Sequence, residues 1–151
     1  MRKIFVLLLL LTISLKAFCQ NENPFEVKFN HIALSVKDVN KSADFYKNVL
    51  NLNEITNRTK MDGIRWFSLG DGKELHLVSV IKEPVTLNKA VHFALSTSNF
   101  EAFLKNVQTM KITYSDWPGK INKVTLRVDG IKQIYLQDVD GYWIEINSVE
   151  Q

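Results

Sequence analysis

Three histidines and one glutamate occupy corresponding positions in two similar halves of the sequence. His31 lies in NHIALS and His92 in AVHFALS, two stretches that share the histidine, an alanine and a serine in the same register. His76 stands five residues after the aspartate of an Asp-Gly pair in GDGKELHLV, and Glu145 stands at the same distance in DVDGYWIEI. Because imidazole and carboxylate groups are common metal ligands, this register predicts a metal site built from all four residues.

The alternative is that these histidines are structural. A single histidine on a strand is more often a packed or surface residue than a ligand. The chain has only three histidines, however, and neither core packing nor random substitution at the surface requires all of them to occupy repeat-related positions. A metal site is therefore the favoured interpretation.

The four candidate ligands are predicted to lie on strands. Residues 27–36 alternate in polarity, with His31 on a small, polar face and Ile32 and Leu34 on an apolar face. Successive strand side chains point to opposite faces. Equal spacing from equivalent turns therefore places His76 and Glu145 on equivalent faces of two related strands.

Three aromatic residues are candidate substrate contacts. Trp143 shares the predicted face of Glu145, and alignment of the two Asp-Gly turns pairs Trp66 with Tyr135. Trp and Tyr at these positions would give a cavity a flat apolar wall with a polar handle. The alternative is that they are core aromatics.

The predicted elements occur twice in the order strand, helix and three strands, which indicates a duplicated unit. In the first module, residues 27–82, strands are predicted at 27–36, 55–60, 64–69 and 73–81, with a helix after Asp38 as its cap. In the second module, residues 89–150, strands are predicted at 90–96, 124–128, 131–137 and 142–149, with a helix at 99–110 capped by Ser98. The sequence thus predicts an α+β domain over residues 27–150.

The second module contains an insertion. The two candidate ligands are 45 residues apart in the first module and 53 apart in the second. We place the extra residues between Tyr114 and Lys123, where the sequence reads Trp-Pro-Gly. Long loops beside a site often contact a ligand.

The N-terminus has the pattern of an export signal. Two basic residues precede an apolar run at residues 4–15, which is too short to cross a bilayer, and small residues follow it. We expect residues 1–19 to be a signal peptide that is cleaved before Gln20, with a polar tether at 20–26. An uncleaved anchor, or a lipid attached to Cys19, are the alternatives.

Charge and cysteine content fit an exported protein without a nucleic-acid partner. The chain has 19 basic and 16 acidic residues, and the predicted signal peptide holds three of the basic ones and no acid. The remainder is balanced, which leaves no basic surplus for nucleic acid. The only cysteine is Cys19, so the cleaved chain has no disulfide or thiol chemistry. We expect a periplasmic or extracellular location, with membrane contact only through the signal segment.

The tandem units, together with NHIALSVKDVNKSADFYKNVLNL and QIYLQDVDGYWIEIN, resemble the vicinal oxygen chelate superfamily. That superfamily includes glyoxalase I, bleomycin and fosfomycin resistance proteins, methylmalonyl-CoA epimerase and extradiol dioxygenases. The resemblance covers roughly residues 27–149, and the C-terminal stretch is most similar to glyoxalase I. It implies two βαβββ modules that form a curled mixed sheet around one metal-binding cleft.

The resemblance also implies the chemistry of the site. One divalent ion, Zn, Ni, Co, Fe or Mn, would be held by His31, His76, His92 and Glu145. A small-molecule substrate would be captured through two adjacent oxygens, with Glu145 as ligand and proton-transfer base in a lyase or isomerase reaction. His76 departs from glyoxalase I, which usually has glutamate there, and Asn48 replaces an arginine that glyoxalase I uses with glutathione.

Two other functions remain open at this point. An Fe(II) extradiol-type dioxygenase would use His31, His92 and Glu145 as a facial triad, and His76 would be surplus. A non-enzymatic resistance module would bind a small molecule in the cleft without needing metal ligands. The two modules can pair within one chain or be exchanged across a homodimer.

Overall fold

A computed structural model describes residues 27–149 of the chain. The expected signal peptide at 1–19, the tether at 20–26 and the alternative lipidation of Cys19 lie outside the described residues. Within residues 27–149, no helix is long and apolar enough to cross a membrane.

The described residues form nine strands and two helices. The first module contains β1 (His31–Ser35), α1 (Val39–Asn48), β2 (Glu54–Ile55), β3 (Ile64–Gly70) and β4 (Lys73–Val78). The second contains β5 (His92–Ser96), α2 (Phe100–Thr109), β6 (Tyr114–Ser115), β7 (Thr125–Leu126), β8 (Lys132–Gln137) and β9 (Trp143–Asn147). The predicted α+β class is confirmed, and both modules begin with a strand and a helix that are followed by strands, three in the first module and four in the second.

The strands form two sheets with matching topology. The first sheet has the order β1-β4-β3-β2, and the second has the order β5-β9-β8-β6, with β7 also paired to β8. The first strand of each module runs parallel to the last, and the other pairs are antiparallel. Parallel pairing of first and last strands brings the candidate ligands of each module side by side.

The apolar faces of both sheets contribute to one hydrophobic core. Leu34, Leu75 and Leu77 face the helix side of the first sheet, and Ile134 and Ile144 face that of the second. All of these side chains are buried. The opposite faces carry the candidate ligands, as the alternation in the sequence predicts.

A small polar cluster joins the two modules. The Tyr46 hydroxyl donates to the buried Asp138 carboxylate at 2.7 Å, and the Ser42 hydroxyl donates to Asp140 at 2.6 Å. The Tyr142 hydroxyl donates to the carbonyl of Ser35 at 2.9 Å. The DVDG turn before β9 therefore contacts α1, and Tyr142, which follows the turn, contacts β1. This joint constrains how the two sheets are placed.

Several predicted boundaries are wrong. The first strand begins at His31 and not at residue 27, and the fourth ends at Val78 and not at residue 81. The strand predicted at 55–60 stops at Ile55, because the Asn57 side chain bonds to the backbone of Thr59, Met61 and Ile64 and forms a turn. Asn99 caps α2 in place of Ser98, since its side chain accepts from the Ala102 N–H.

The strand predicted at 124–128 is also shorter in the structure. Only Thr125 and Leu126 pair with β8. The following residues form a turn in which the Arg127 carbonyl accepts from the Gly130 N–H and the Arg127 N–H donates to the Ile131 carbonyl.

Candidate metal-binding site

The candidate ligands of the first module stack on one another. His76 on β4 pairs in register with Ala33 of β1, so its ring lies beside that of His31. The two ring centroids are 4.4 Å apart and the ring planes differ by 15°. On the other side, Trp66 of β3 stacks on His76 with centroids 3.9 Å apart and planes 7° apart. His76 is therefore held between two aromatic rings.

An ion pair fixes this stack from the side. Nε2 of His76 lies 2.8 Å from a Glu74 carboxylate oxygen, and Arg58 donates to both oxygens of Glu74, at 2.8 and 3.0 Å. The Arg58 guanidinium also lies 4.6 Å from the centroid of Trp66. Hydrogen bonds from His76 and then from Arg58 hold the pKa of Glu74 below its usual value.

The candidate ligands of the second module face each other. Nε2 of His92 lies 3.6 Å from a Glu145 carboxylate oxygen. Nδ1 of His92 lies 3.0 Å from the Lys89 carbonyl, and donation there fixes the tautomer that leaves Nε2 with its lone pair. A histidine oriented in this way is suited to bind a metal through Nε2.

Glu145 is held by two donors. The Tyr135 hydroxyl donates to one carboxylate oxygen at 2.6 Å, and the Asn147 side-chain amide donates to the other at 2.9 Å. Gln133 in turn donates to the Tyr135 oxygen at 2.8 Å. Burial and the hydrogen bond to Glu145 raise the pKa of Tyr135, so the hydroxyl stays a donor. Such outer contacts orient a metal-ligating carboxylate.

The four candidate ligands differ in how well they are placed for a divalent metal. His92 and Glu145 already converge, and His31 is exposed, with Nδ1 bonded to Asn30 and Nε2 left over. His76 does not fit in its present orientation. A nitrogen lone pair lies in the plane of its ring, so two nearly parallel rings 4.4 Å apart cannot direct their lone pairs at one ion. Binding through His76 requires one ring to turn.

The structure holds the four residues as two pairs on two different sheets. Among residues 27–149, no three His, Cys, Asp or Glu side chains are grouped so as to hold a metal ion. The site residues named from the sequence remain predictions. What the fold does establish is that His31 and His76 share one face, as do His92 and Glu145.

The predicted wall residues lie beside the candidate ligands. Trp66 is 7% exposed and stacks on His76, whereas Tyr135 is 3% exposed and bonds to Glu145. Trp143 is half-buried and lies directly opposite His92 in the strand register. Their role in binding substrate is still a prediction.

Two residues beside the second pair were missed from the sequence. The indole of Trp117, in the inserted loop, lies 5.9 Å from His92 and 5.3 Å from Tyr135, centroid to centroid. The Lys89 ammonium lies 4.7 Å from the ring of Tyr135. The insertion pointed to this loop, but no sequence pattern distinguished Lys89 from other lysines.

Sequence comparison identifies the relatives of this chain. A sequence model of the Glyoxalase/Bleomycin resistance protein/Dioxygenase superfamily matches residues 28–146. The uncharacterized protein YwbC of Bacillus subtilis (strain 168) is 25% identical over 124 residues, which cover 78% of this chain and 94% of YwbC.

Solved structures share the fold. The oxidase ChaP-H2 superposes with a TM-score of 0.69 at 20% identity, over 83% of this chain and 96% of its own. A glyoxalase/dioxygenase from Nostoc punctiforme superposes with a TM-score of 0.64 at 25% identity, over 82% of this chain and 92% of its own. The match in fold thus extends over nearly the whole of each relative.

Proposed function

The chain belongs to the glyoxalase/bleomycin resistance protein/dioxygenase superfamily, and from that membership we propose that it is a divalent-metal-dependent enzyme of the glyoxalase-like lyase or isomerase type. Its substrate is a small molecule that presents two adjacent oxygens. Glu145 serves both as metal ligand and as proton-transfer base.

The observation that carries this proposal is the pairing of His92 with Glu145. Both side chains are fixed by contacts that leave their metal-binding atoms directed toward each other, at 3.6 Å. Lys89 orients the imidazole, and Tyr135 and Asn147 orient the carboxylate. A purely structural ion pair does not need so many supporting bonds.

The chain supplies proton transfer and orientation. A divalent metal bound there would act as a Lewis acid toward the two substrate oxygens. Glu145 accepts a proton from the carbon beside those oxygens and returns it to a neighbouring atom. Tyr135 and Asn147 keep the carboxylate in place during both transfers, while the aromatic rings of Tyr135 and Trp143 limit water at that side.

We propose that two copies of the chain complete each site. In one copy the pair His31 and His76 lies on the first sheet and the pair His92 and Glu145 lies on the second. His31 and Ala33 are exposed on the open face of β1, and Ala94 is exposed on that of β5. A homodimer that places one copy's first sheet over the other copy's second sheet unites both pairs.

One observation favours a second candidate, an Fe(II) extradiol-type dioxygenase. The stack and the Glu74 contact occupy His76, so three ligands remain: His31, His92 and Glu145. Two histidines and a carboxylate form the facial triad that non-haem iron oxygenases use, with open positions for substrate and oxygen.

Export is part of the proposal and rests on the apolar N-terminal run alone. A periplasmic or extracellular enzyme would meet little glutathione, and Asn48 stands where an arginine would bind it. The proposed substrate therefore need not be a glutathione adduct.

Metal analysis combined with two assays tests the proposal. Residues 20–151 are purified and their divalent metals are measured, with a His76→Ala variant alongside. We expect one metal per chain, and metal-dependent isomerisation of a 2-oxoaldehyde adduct without oxygen uptake. Oxygen consumption with catechols by the iron-loaded protein would favour the dioxygenase instead.

The wild type is loaded with each of the five candidate ions in turn. If it binds none of them stoichiometrically, both enzyme hypotheses are wrong. The non-enzymatic binding module would then be favoured. A Glu145→Gln variant serves as the control for either assay, since it keeps the side chain's shape and removes its charge.

A further inference from the structure

The inserted loop of the second module folds back onto the candidate site. Ser115 and Ile121 form an isolated bridge across its base, and the Asp116 side chain accepts from the Lys120 N–H at 2.7 Å. This turn carries Trp117, whose indole is tilted by 60° from the ring of His92 and by 59° from that of Tyr135. The loop therefore presents Trp117 at the edge of the His92 and Glu145 pair.

One lysine from outside the loop fastens it. The Lys89 ammonium donates to the Ser115 hydroxyl at 2.9 Å, to the Trp117 carbonyl at 3.1 Å and to the Asp116 carbonyl. These acceptors belong to three consecutive residues. The backbone carbonyl of Lys89 also accepts from His92, so one residue connects the candidate ligand to the loop that faces it.

The hydrogen-bond donors of the Lys89 ammonium are all used within the protein. An ammonium group has three N–H donors, and the three loop acceptors use all of them. The rings of Tyr135 and Trp143, with centroids 4.7 and 4.9 Å away, cover the remaining sides. Burial lowers the pKa of Lys89, and the charge of Asp116 opposes that shift. Lys89 is therefore not a free cation that awaits an anionic substrate.

We infer that Lys89 is a positioning residue that fixes Trp117 as a wall of the site, and that the substrate lays a flat unsaturated group against that wall. This rests on the proposed function for the location of the reacting oxygens. The clamp itself, Lys89 on residues 115–117, does not depend on a metal.

The exposure of Trp117 supports the flat substrate group. Trp117 is 47% exposed although its indole contacts two rings, so part of the residue remains accessible to a ligand. A cavity of about 560 Å³ borders Lys89, Trp117, Tyr135 and Trp143. His92 and Glu145 do not line this cavity, so it lies beside the candidate ligands and would hold the part of a ligand that stacks on Trp117. Stacking between aromatic rings contributes about 0.5–1.5 kcal/mol beyond area burial, which corresponds to a preference of about two- to tenfold for a ring-bearing ligand.

Fluorine NMR tests the clamp without any ligand. The protein is labelled with 5-fluorotryptophan, which gives signals for Trp66, Trp117 and Trp143, and the Trp117 signal is assigned with Trp117→Phe. In Lys89→Met we expect the Trp117 signal to move toward the position of free fluorotryptophan while the Trp66 signal stays. A Trp117 signal that does not move overturns the clamp.

Two variants separate positioning from a general loss of stability. Lys89→Arg can still donate to three acceptors and should restore the Trp117 signal. Lys123→Met removes another lysine on the same loop, one whose ammonium lies 3.4 Å from Asp116 and whose side chain is 55% exposed, and should leave the signal unchanged. If Lys89→Met does not fold, Ser115→Ala, which removes one acceptor, must broaden the Trp117 signal alone.

A pair of probes tests the wall. Benzohydroxamate and acetohydroxamate both chelate through two adjacent oxygens and differ in one phenyl ring. We expect zinc-loaded protein to bind benzohydroxamate about two- to tenfold more tightly than acetohydroxamate. Three variants should lose that preference to the same extent: Lys89→Met, Trp117→Ala and the double variant.

The outcomes of the probe experiment are distinct. Equal affinity for the two probes in the wild type overturns the flat substrate group, as does a preference that survives Trp117→Ala. If neither probe binds, the proposed metal site fails, and the fluorine signals still decide whether Lys89 holds Trp117.

Discussion

The two sheets have the same strand arrangement at the candidate site, but they carry different side chains there. Trp66 lies opposite His76 in the strand register, and Tyr135 lies opposite Glu145. In the first module these two positions form a face-to-face ring stack. In the second they form a short hydrogen bond from a hydroxyl to a carboxylate.

The two halves differ at two matching positions, with Trp66 and His76 in the first and Tyr135 and Glu145 in the second. These differences give the two halves different roles. The Trp66 indole N–H is buried and has no hydrogen-bond partner among the described residues, so the first half is held by stacking and by the Arg58–Glu74 ion pair. In the second half, Tyr135 and Asn147 both donate to Glu145. The second half is thus the one that orients a carboxylate, as the proposed roles of Glu145 in metal binding and proton transfer require.

The largest expected effect follows from removing the charge of Glu145. In Glu145→Gln we expect the zinc Kd to rise by more than about 100-fold, because changes to outer contacts alone cost about 10–100-fold. In His76→Gln we expect a rise of about tenfold or less, since the ring is tied to Glu74. Isothermal titration with zinc measures both.

Equal losses in the two variants would contradict this comparison. They would show that the His76 ring leaves its stack and binds metal as strongly as Glu145 does, which is the four-ligand arrangement that the sequence predicts.

A smaller effect is expected one contact further out. Tyr135→Phe removes the hydroxyl that orients Glu145, and the zinc Kd should rise by about 10–100-fold. Trp66→Phe, at the matching position of the first sheet, should lower stability and leave the zinc Kd nearly unchanged. A larger change in affinity from Trp66→Phe than from Tyr135→Phe would reverse the assignment of the two halves.

The joint between the modules gives the third effect. Tyr46→Phe leaves the buried Asp138 carboxylate without its hydroxyl donor. Asp138 keeps its bonds from the N–H groups of Asp140 and Tyr142, so we expect a loss of about 1.5 kcal/mol in the free energy of unfolding. Urea denaturation measures it, and an unchanged midpoint would show that the joint does not stabilise the fold.

The smallest effect is a pH dependence from the same joint. Burial raises the pKa of Asp138 despite the hydrogen bonds from Tyr46 and two backbone groups. Between the ordinary value, about 3.9, and the raised one, the folded state binds more protons than the unfolded state. This group's contribution therefore makes the free energy of unfolding fall as pH rises through that window.

Asp138→Asn should remove this contribution. Urea denaturation at several pH values across the window should show the variant's stability falling less steeply with rising pH than that of the wild type. An identical or steeper fall would mean that Asp138 titrates as it does in the unfolded chain.

The sequence was sufficient to predict the repeated architecture and to predict which strand side chains share a face of the sheet. The alternation around His31 and the equal spacing from two Asp-Gly turns depend on strand geometry alone, so they predicted which side chains share a face. The same counting predicted that Trp66 corresponds to Tyr135, which the strand registers confirm.

Side-chain orientation and loop docking were beyond the sequence. His76 lies on the predicted face of its strand. Whether its ring binds a metal or stacks depends on the Trp66 indole and the Glu74 carboxylate beside it. The anchoring of Trp117 by Lys89 joins residues far apart in sequence through backbone carbonyls, which carry no sequence signal. Short turns also overrode strand propensity, as at Asn57.

Mixing two inactive variants tests the central claim that each metal site is completed by two copies of the chain. His31→Ala and Glu145→Ala are each expected to lose tight zinc binding. After the two are mixed and allowed to exchange subunits, half of the dimers are mixed and each has one intact site, so we expect tight binding of about one zinc per four chains. A mixture that binds no zinc tightly, beside a wild type that binds one per chain, would contradict the account and place the whole site within a single chain.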